Sequence, residues 1–295
     1  MSSGSAFVTG GGGFAGRHLV GLLDGAVAPS RDELDLLDAG AVRRALAAAA
    51  PERVFHLAAL ASVARSWEEP QAVLRENLEM TVNVLDAVRH EAPEAVVVFA
   101  GSGEVYGPPE RLPVTEKAPL RPQNPYAVSK AACDLLAGQY ADAHGLHVVR
   151  MRAFNQAGPG QSDEYVVGTI ARQVADAEAA GGGEVVIRTG NPNSSRDFTD
   201  VRDTVRAYVS ASSLPAGVYN VCSGRAVAVR TLVEMAGRAA SVEVHHEVDA
   251  ERVRSHDVPE VRGSAERLAE ASGWRPEIPL EQTIADAIAY WRERR

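Results

Sequence analysis

The chain has 295 residues, 45% of them apolar and 23% charged, with a formal net charge of −9 at pH 7. That length buries a substantial core in one large or two smaller domains, and the composition is that of a soluble globular protein. The acidic balance argues against a nucleic-acid or anionic-membrane surface, while a local basic pocket remains free to bind phosphate. Two cysteines, Cys133 and Cys222, make no disulfide framework and fit a reducing cytoplasm. No apolar run reaches the roughly 18 residues a membrane helix needs. The opening Met1-Ser2-Ser3-Gly4-Ser5 lacks the charged and apolar regions of a signal peptide.

Ala6-Phe7-Val8-Thr9 reads as a short buried strand. It is followed at once by Gly10-Gly11-Gly12-Gly13-Phe14-Ala15-Gly16 and then by a helix to about Leu23. Glycines between a strand and a helix allow a tight turn and close backbone approach, and the helix start offers N–H groups to a pyrophosphate. Strand, glycine turn and helix in this order read as a dinucleotide-binding element rather than a plain loop.

A second strand is expected at Val27-Ala28, and Asp38 caps a helix through about Ala49. Many dinucleotide folds place Asp or Glu at the end of the second strand for the ribose 2′-hydroxyl. Here the chain reads Ala28-Pro29-Ser30-Arg31, with no acid before Asp32. A hydroxyl followed by a guanidinium suits a 2′-phosphate, so Ser30 and Arg31 favour NADP(H), with NAD(H) the alternative.

Arg53–Leu57 is the third strand, Gln71 to His90 a long helix, and Ala95–Ala100 a Val-rich fourth strand. Pro125 to His144 reads as helix, and Leu146–Met151 as the next strand. Strand and helix alternating this regularly predicts an α/β fold, a Rossmann-type doubly wound parallel sheet. From about Phe154 the texture changes, with a turn-rich break at Asn155–Gly160 and loops at Gly181–Gly183 and Gly190–Ser195. The expected division is a dinucleotide-binding domain over 1–155, completed by segments near 198–222. A smaller C-terminal α/β domain over 156–295 would bind mainly the substrate, with the site in the crevice between them.

Tyr126 and Lys130 stand four residues apart on the Pro125–His144 helix, so phenol and ammonium share a face. A tyrosine of pKa about 10 is a poor acid or base at neutral pH, and a fixed cation is expected to lower it. That chemistry moves a proton on or off a sugar or alcohol oxygen while a hydride moves elsewhere. Ser102 lies upstream, just after the fourth strand, where such sheets bind ligands. Glu104, two residues on, has two readings: a catalytic carboxylate, or a polar side chain bonded to nearby loop backbone. Cys133 reads as core rather than nucleophile. His245-His246 has no third ligand nearby and reads as surface, with no metal site expected.

Taken together, Thr9–Gly16, Leu57-Ala58-Ala59, Ser102 and Tyr126-x-x-x-Lys130 resemble the extended short-chain dehydrogenase/reductases that act on nucleotide sugars. Arg152–Asn155 with Gly158–Gln161, Ser195–Phe198, Asn220–Gly224 and Gly273–Glu277 look most like the GDP-6-deoxy-4-ketohexose reductases, with the GDP-mannose 4,6-dehydratases as neighbouring family. The resemblance implies NADP(H)-dependent reduction of the C4 keto group of a nucleotide-linked 4-keto-6-deoxyhexose. In it Gly10, Gly13 and Gly16 wrap the pyrophosphate, Asp35-Leu36 meets adenine, and Leu57, Ala58 and Ala59 line the inner ribose. Ser102 holds the C4 oxygen that Tyr126 protonates, and Lys130 also bonds the nicotinamide ribose. Asn155, Arg196, Arg254 and Asp257 match positions that hold the substrate's phosphates and ribose. A homodimer through the Gln71–His90 and Pro125–His144 helices is likewise implied.

The neighbouring reactions remain open at this point. In 4,6-dehydratases a glutamate at the place of Glu104 takes the C5 proton, and a 4-epimerase or a non-catalytic dinucleotide-binding protein would share the fold. Gly103 stands where glucose-type dehydratases carry Asp, which favours the reductase.

Overall fold

The computed structural model describes residues 5–250 and 258–295. The first half of the chain runs β1 (Ala6–Thr9), α1 (Phe14–Val20), α2 (Ala39–Ala49), β2 (Arg53–His56), α3 (Val63–Glu68), α4 (Pro70–Glu91), β3 (Val96–Ser102), a short 3-10 turn (Gly103–Tyr106), α5 (Pro125–His144) and β4 (Val148–Ala153). It continues with β5 (Asn155–Ala157), α6 (Val166–Ala179), β6 (Glu184–Thr189), β7 (Ser195–Asp200), α7 (Val201–Ala211) and β8 (Gly217–Val221). Last come β9 (Ala226–Ala228), α8 (Val229–Ala239), β10 (Glu243–Val248), β11 (Glu260–Val261), α9 (Glu266–Ser272) and α10 (Leu280–Arg292).

The largest sheet has five strands in the order β1-β2-β3-β4-β8, parallel throughout. Its side chains alternate between two buried faces, as the strand period requires. Phe7, Val54, Val97, Phe99 and Val148 pack on one side with Val42, Leu46 and Leu85. Val8, Phe55, Val98, Val149 and Met151 pack on the other with Leu19, Val205 and Tyr208.

Two expectations are corrected at the start of the chain. Instead of a second strand, Val27 makes a single parallel bridge to Phe7. It donates to Ala6 O and accepts from Val8 N, both at 2.8 Å. Gly25, at φ +68°, bends the chain before this bridge, and Pro29, which has no N–H, closes it. Helix α1 stops at Val20 rather than near Leu23 because Gly21 caps it.

The chain passes outward from β1 to Val27 and then crosses back to β2 on the far side of β1. This reversal opens a crevice beyond the carboxyl ends of β1 and β2, where doubly wound sheets bind ligands. Helix α5 carries its boundaries in its sequence. Asn124 accepts from Ala127 N at its start, Pro125 occupies the first turn, and Gly145 ends it in the left-handed region at φ +69°.

The smaller sheets lie in the second half. Strand β7 pairs β5 and β11 in parallel and β9 antiparallel, and β6 pairs β10 in parallel. Helices α6, α8 and α10 close over them around Ile170, Ile187, Leu232 and Ile288.

Candidate active site

Three elements bring the expected chemical groups together. Strand β3 ends at Ser102, in register with Ala153 of β4, and the 3-10 turn starts there with Glu104 N donating to Ser102 Oγ at 3.2 Å. Tyr126 is in the first turn of α5, half-buried, with its phenol near enough to the Ser102 hydroxyl for that group to lower its pKa. One turn further on, the buried Lys130 donates from Nζ to Ala100 O at 2.6 Å and lies 4.8 Å over the Phe99 ring. Glu104 is half-buried at the same place, with Asn124 Nδ2 donating to its carboxylate at 3.4 Å.

The electrostatics differ from the expectation that Lys130 acidifies the phenol. Burial pushes the Tyr126 pKa above its ordinary value; the Ser102 hydrogen bond pulls it back in part, and Tyr165 and Glu104 push it further up. Burial also pushes Lys130 down, offset by Cys133 and Asp134. The phenol is therefore held protonated, and the ammonium is anchored on a main-chain carbonyl of β3. A phenol that keeps its proton can serve as a donor rather than a base, although its raised pKa makes it a weaker acid than a free tyrosine.

Next to Ser102, Gly103 leaves little room for a side chain. A Cβ there would stand 3.0 Å from two atoms of the Phe154 ring.

The glycine turn has the shape of a phosphate cradle. A Cβ on Gly16 would stand 2.0 Å from Gly10 O, and one on Gly10, at φ +74°, would stand 2.7 Å from Ala58 N. Gly12 faces open space, and α1 starts at Gly13 without a side-chain cap. The turn thus folds against the Leu57-Ala58-Ala59 segment, with Leu57 N donating to Thr9 O at 3.1 Å, and exposes its own backbone to the crevice. Phe14 and Ala15 open the helix, half-buried.

A Cβ on Gly11 would stand 3.0 Å from Ala28 Cβ, so Ser30 and Arg31 follow just beyond the turn. Arg31 is exposed, with no hydrogen bond or ion pair among the described residues. Ser30 N donates to Glu33 Oε2 at 2.8 Å, and Asp35 Oδ1 accepts from Leu37 N at 3.0 Å. Leu36 packs against the core while its carbonyl accepts from Asn83 Nδ2.

On the substrate side, Asn155 Nδ2 donates to Asp197 O at 3.2 Å. Arg196 is half-buried and donates to Ser195 O and Val258 O. Arg254 and Asp257 lie outside the described residues. Three buried oxygens, Gln156 Oε1, Gln161 Oε1 and Thr199 Oγ1, have no hydrogen-bond partner among the described residues. Gln156 pairs Thr199 across β5 and β7, and its Nε2 donates to Tyr208 OH at 3.4 Å. Tyr208 is buried in the core beneath the main sheet. The glycine cradle fits a dinucleotide.

The sequence profile described as GDP-mannose 4,6 dehydratase matches residues 31–287. The chain belongs to this family. It is 36% identical to the GDP-6-deoxy-D-mannose reductase of Pseudomonas aeruginosa, over 98% of this chain and 97% of that one. It is 31% identical to the UDP-glucose 4-epimerase of Mycolicibacterium smegmatis, over 88% of this chain and 82% of that one. Among solved structures, that of RMD from Pseudomonas aeruginosa complexed with NADPH superposes with a TM-score of 0.90 at 34% identity and covers 99% of both chains. The UDP-glucose 4-epimerase of Thermus thermophilus in complex with NAD gives a TM-score of 0.84 at 30% identity, over 98% of this chain and 99% of that one.

Sequence reasoning passed over part of this family member's site. Asn77 and His56, both buried, tie the site's elements together from beneath. Asn77 Nδ2 donates to Ser129 Oγ at 2.9 Å, and Ser129 in turn donates to Tyr126 O at 2.7 Å. The available signal was a polar residue on the inward stripe of α4, in step with Val73, Thr81 and Val84. His245 and His246 meet Glu184, Glu243 and Thr189, and no metal-holding group occurs among the described residues. Cys133 is buried in the core.

Proposed function

We propose that the chain is an NADP(H)-dependent ketoreductase acting at C4 of a nucleotide-linked 4-keto-6-deoxyhexose, with GDP as the favoured nucleotide. The observation that carries this reading is the convergence of Ser102, at the carboxyl end of β3, with the half-buried Tyr126 and the buried Lys130 on α5. A reduced dinucleotide held along the glycine turn would supply the hydride for the carbonyl carbon. Ser102 holds the carbonyl oxygen, and Tyr126 gives its proton to that oxygen as negative charge develops there. Hydride and proton together turn the ketone into a secondary alcohol. The Lys130 ammonium, one turn away, favours the phenolate that remains until solvent returns the proton.

Gly10, Gly13 and Gly16 hold the pyrophosphate in this reading, Leu57, Ala58 and Ala59 the inner ribose, and Asp35-Leu36 the adenine. Ser30 and the unpaired Arg31 receive the 2′-phosphate, which favours NADP(H); NAD(H) is the second choice. The NADPH in the Pseudomonas aeruginosa relative and the NAD in the Thermus thermophilus epimerase mark the same two choices. Asn155, Arg196, Arg254 and Asp257 are assigned to the substrate's phosphates and ribose. The division of labour is residues 1–155, with segments near 198–222, for the dinucleotide and mainly 156–295 for the sugar nucleotide.

A 4,6-dehydratase is the second reading, favoured by the nearness of the Glu104 carboxylate to Tyr126, where it would take the C5 proton. The Phe154 ring against Gly103 speaks against the paired acid of the glucose-type enzymes. A reductase must exchange its cofactor each turnover, whereas a dehydratase or 4-epimerase recycles one. Purified protein should therefore consume NADPH stoichiometrically with a GDP-linked 4-keto-6-deoxyhexose. Turnover of GDP-mannose without net cofactor change would replace this reading with the dehydratase, and binding without turnover would leave a dinucleotide-binding protein.

No helix among the described residues is long and apolar enough to cross a membrane. Both cysteines are free and buried, which suits a reducing compartment such as the cytoplasm. We also propose a homodimer through α4 and α5, which expose Leu74, Leu78, Val128 and Leu135.

A further inference from the structure

Beneath the crevice runs a buried file of hydrogen bonds that the reaction above does not use. Thr9 Oγ1 lies 2.8 Å from His56 Nδ1, and His56 Nε2 lies 3.3 Å from Thr81 Oγ1. Thr81 donates to Asn77 O at 2.8 Å, and Ala58 N donates to Thr9 Oγ1 at 3.4 Å. The side chains of Thr9, His56, Asn77 and Thr81 are all buried.

Counting protons assigns the file a direction. Thr81 has one hydroxyl proton; assigned to Asn77 O, its nearer partner at 2.8 Å and one that Cys133 Sγ also reaches at 3.3 Å, it leaves the Thr81 oxygen to accept from His56. The imidazole proton is then on Nε2, and the bare Nδ1 takes the hydroxyl proton of Thr9. Thr9 Oγ1 is left to accept the Ala58 amide. An imidazolium would carry a second N–H against the Thr9 hydroxyl and add a charge beside Lys130. Burial, and then that ammonium, holds His56 far below its ordinary range, at about 3.

Each end of the file touches a part of the site. Ala58 belongs to the segment the glycine turn folds against. At the other end Asn77 donates to Ser129 Oγ and Leu60 O and accepts from Leu60 N at 2.7 Å, and Ser129 holds the carbonyl of Tyr126. Phe99 completes the link, with its ring 5.9 Å from that of His56 and 4.8 Å from Lys130 Nζ.

We propose that His56 is a positioning residue: a neutral ring, protonated on Nε2, that sets the Thr9–Ala58 junction against the helix faces carrying Asn77, Ser129 and Tyr126. It acts through these neighbours and touches neither hydride nor proton in the reaction. Its kinetic consequences rest on the ketoreductase reading; its proton positions do not.

Isosteric variants test it. Thr9→Val removes the hydroxyl at constant shape, Thr9→Ser keeps it, and His56→Leu removes both ring nitrogens. Reduction should fall at least about tenfold in Thr9→Val and His56→Leu, mainly in kcat, with the sugar KM within about twofold. The double variant should lose no more than about the worse single one, because one file is cut in either case. Thr9→Ser should recover most of the Thr9→Val loss. Independent, additive losses, or a Thr9→Ser as impaired as Thr9→Val, would overturn the proposal. The Thr9 pair decides it alone where His56→Leu does not fold.

Nitrogen NMR of the imidazoles adds a readout free of turnover. One of the 8 histidines should remain the Nε2–H tautomer between about pH 5 and 8, with its signal missing in His56→Leu. A His56 signal that titrates in that range, or an Nδ1–H tautomer, would refute the file. A protein without reductase activity but with this tautomer would overturn only the reaction assigned to the site.

Discussion

The Phe154 ring occupies the space that a side chain on Gly103 would need. It also lies 2.7 Å from where a Cβ on Gly263 would stand and stacks on Tyr106 at 6.2 Å between centroids. The ring is thus wedged between two glycines, next to the serine that borders Tyr126. Gly103→Asp, the change that would import a second acid, should displace it and cost about 1–3 kcal/mol, the usual range for overpacking a buried site. Thermal melting should show the loss, with reduction impaired and no dehydration of GDP-mannose gained. An unshifted melting temperature together with new dehydratase activity would contradict the steric argument.

Tyr126→Phe removes the proton donor and leaves the ring. Turnover should drop by about 10²–10⁴, the contribution of a positioned acid. NADPH affinity, measured by fluorescence titration, should stay within about twofold, because the glycine turn is untouched. Substantial residual turnover would mean that another group protonates the C4 oxygen.

How much of this was legible beforehand depends on how local each feature is. Alternating Val-rich strands and helices identified the parallel sheet, and α5 was bounded correctly at Pro125 and His144, because helix signals are written within a few residues. The glycine turn was equally readable. Val27-Ala28 misled because its apolar pair carries no sign that a left-handed Gly25 and Pro29 leave one residue to bridge. The raised pKa of Tyr126 was out of reach, since desolvation is set by what packs around the phenol. So was the file from Thr9 through His56 to Asn77, whose members come from β1, β2 and α4 and meet only in the folded chain.

Arg31 is exposed and uncommitted beside the glycine turn, and its guanidinium is suited to a phosphate. Arg31→Ala should weaken NADPH by about tenfold or more, a loss of roughly 1.4 kcal/mol or above, and leave NADH within about twofold. Equal weakening of both cofactors would remove Arg31 from the 2′-phosphate site.

The exposed apolar residues of α4 and α5 repeat at helical spacing, Leu74 with Leu78 and Val128 with Leu135. Leu135 is 61% exposed, so a charge there disturbs no packing within one chain. Leu135→Glu should convert the proposed homodimer to monomer in sedimentation velocity, with the circular dichroism spectrum unchanged. A native chain that is already monomeric would discard the interface.

The alkaline limb of the rate profile separates the two partners of α5. Burial moves them apart, Tyr126 upward and Lys130 downward from their ordinary values. A lysine with a lowered pKa keeps its ammonium at low pH and loses it as pH rises, sooner than the usual value of 10.5. The phenol keeps its proton beyond that point. Loss of activity at high pH should therefore report Lys130, and the limb should fall below pH 10.5. Lys130→Arg, whose guanidinium stays charged throughout, should be slower yet move that limb upward. A limb left in place by Lys130→Arg would assign the alkaline loss to another group and remove the ammonium from the protonation step.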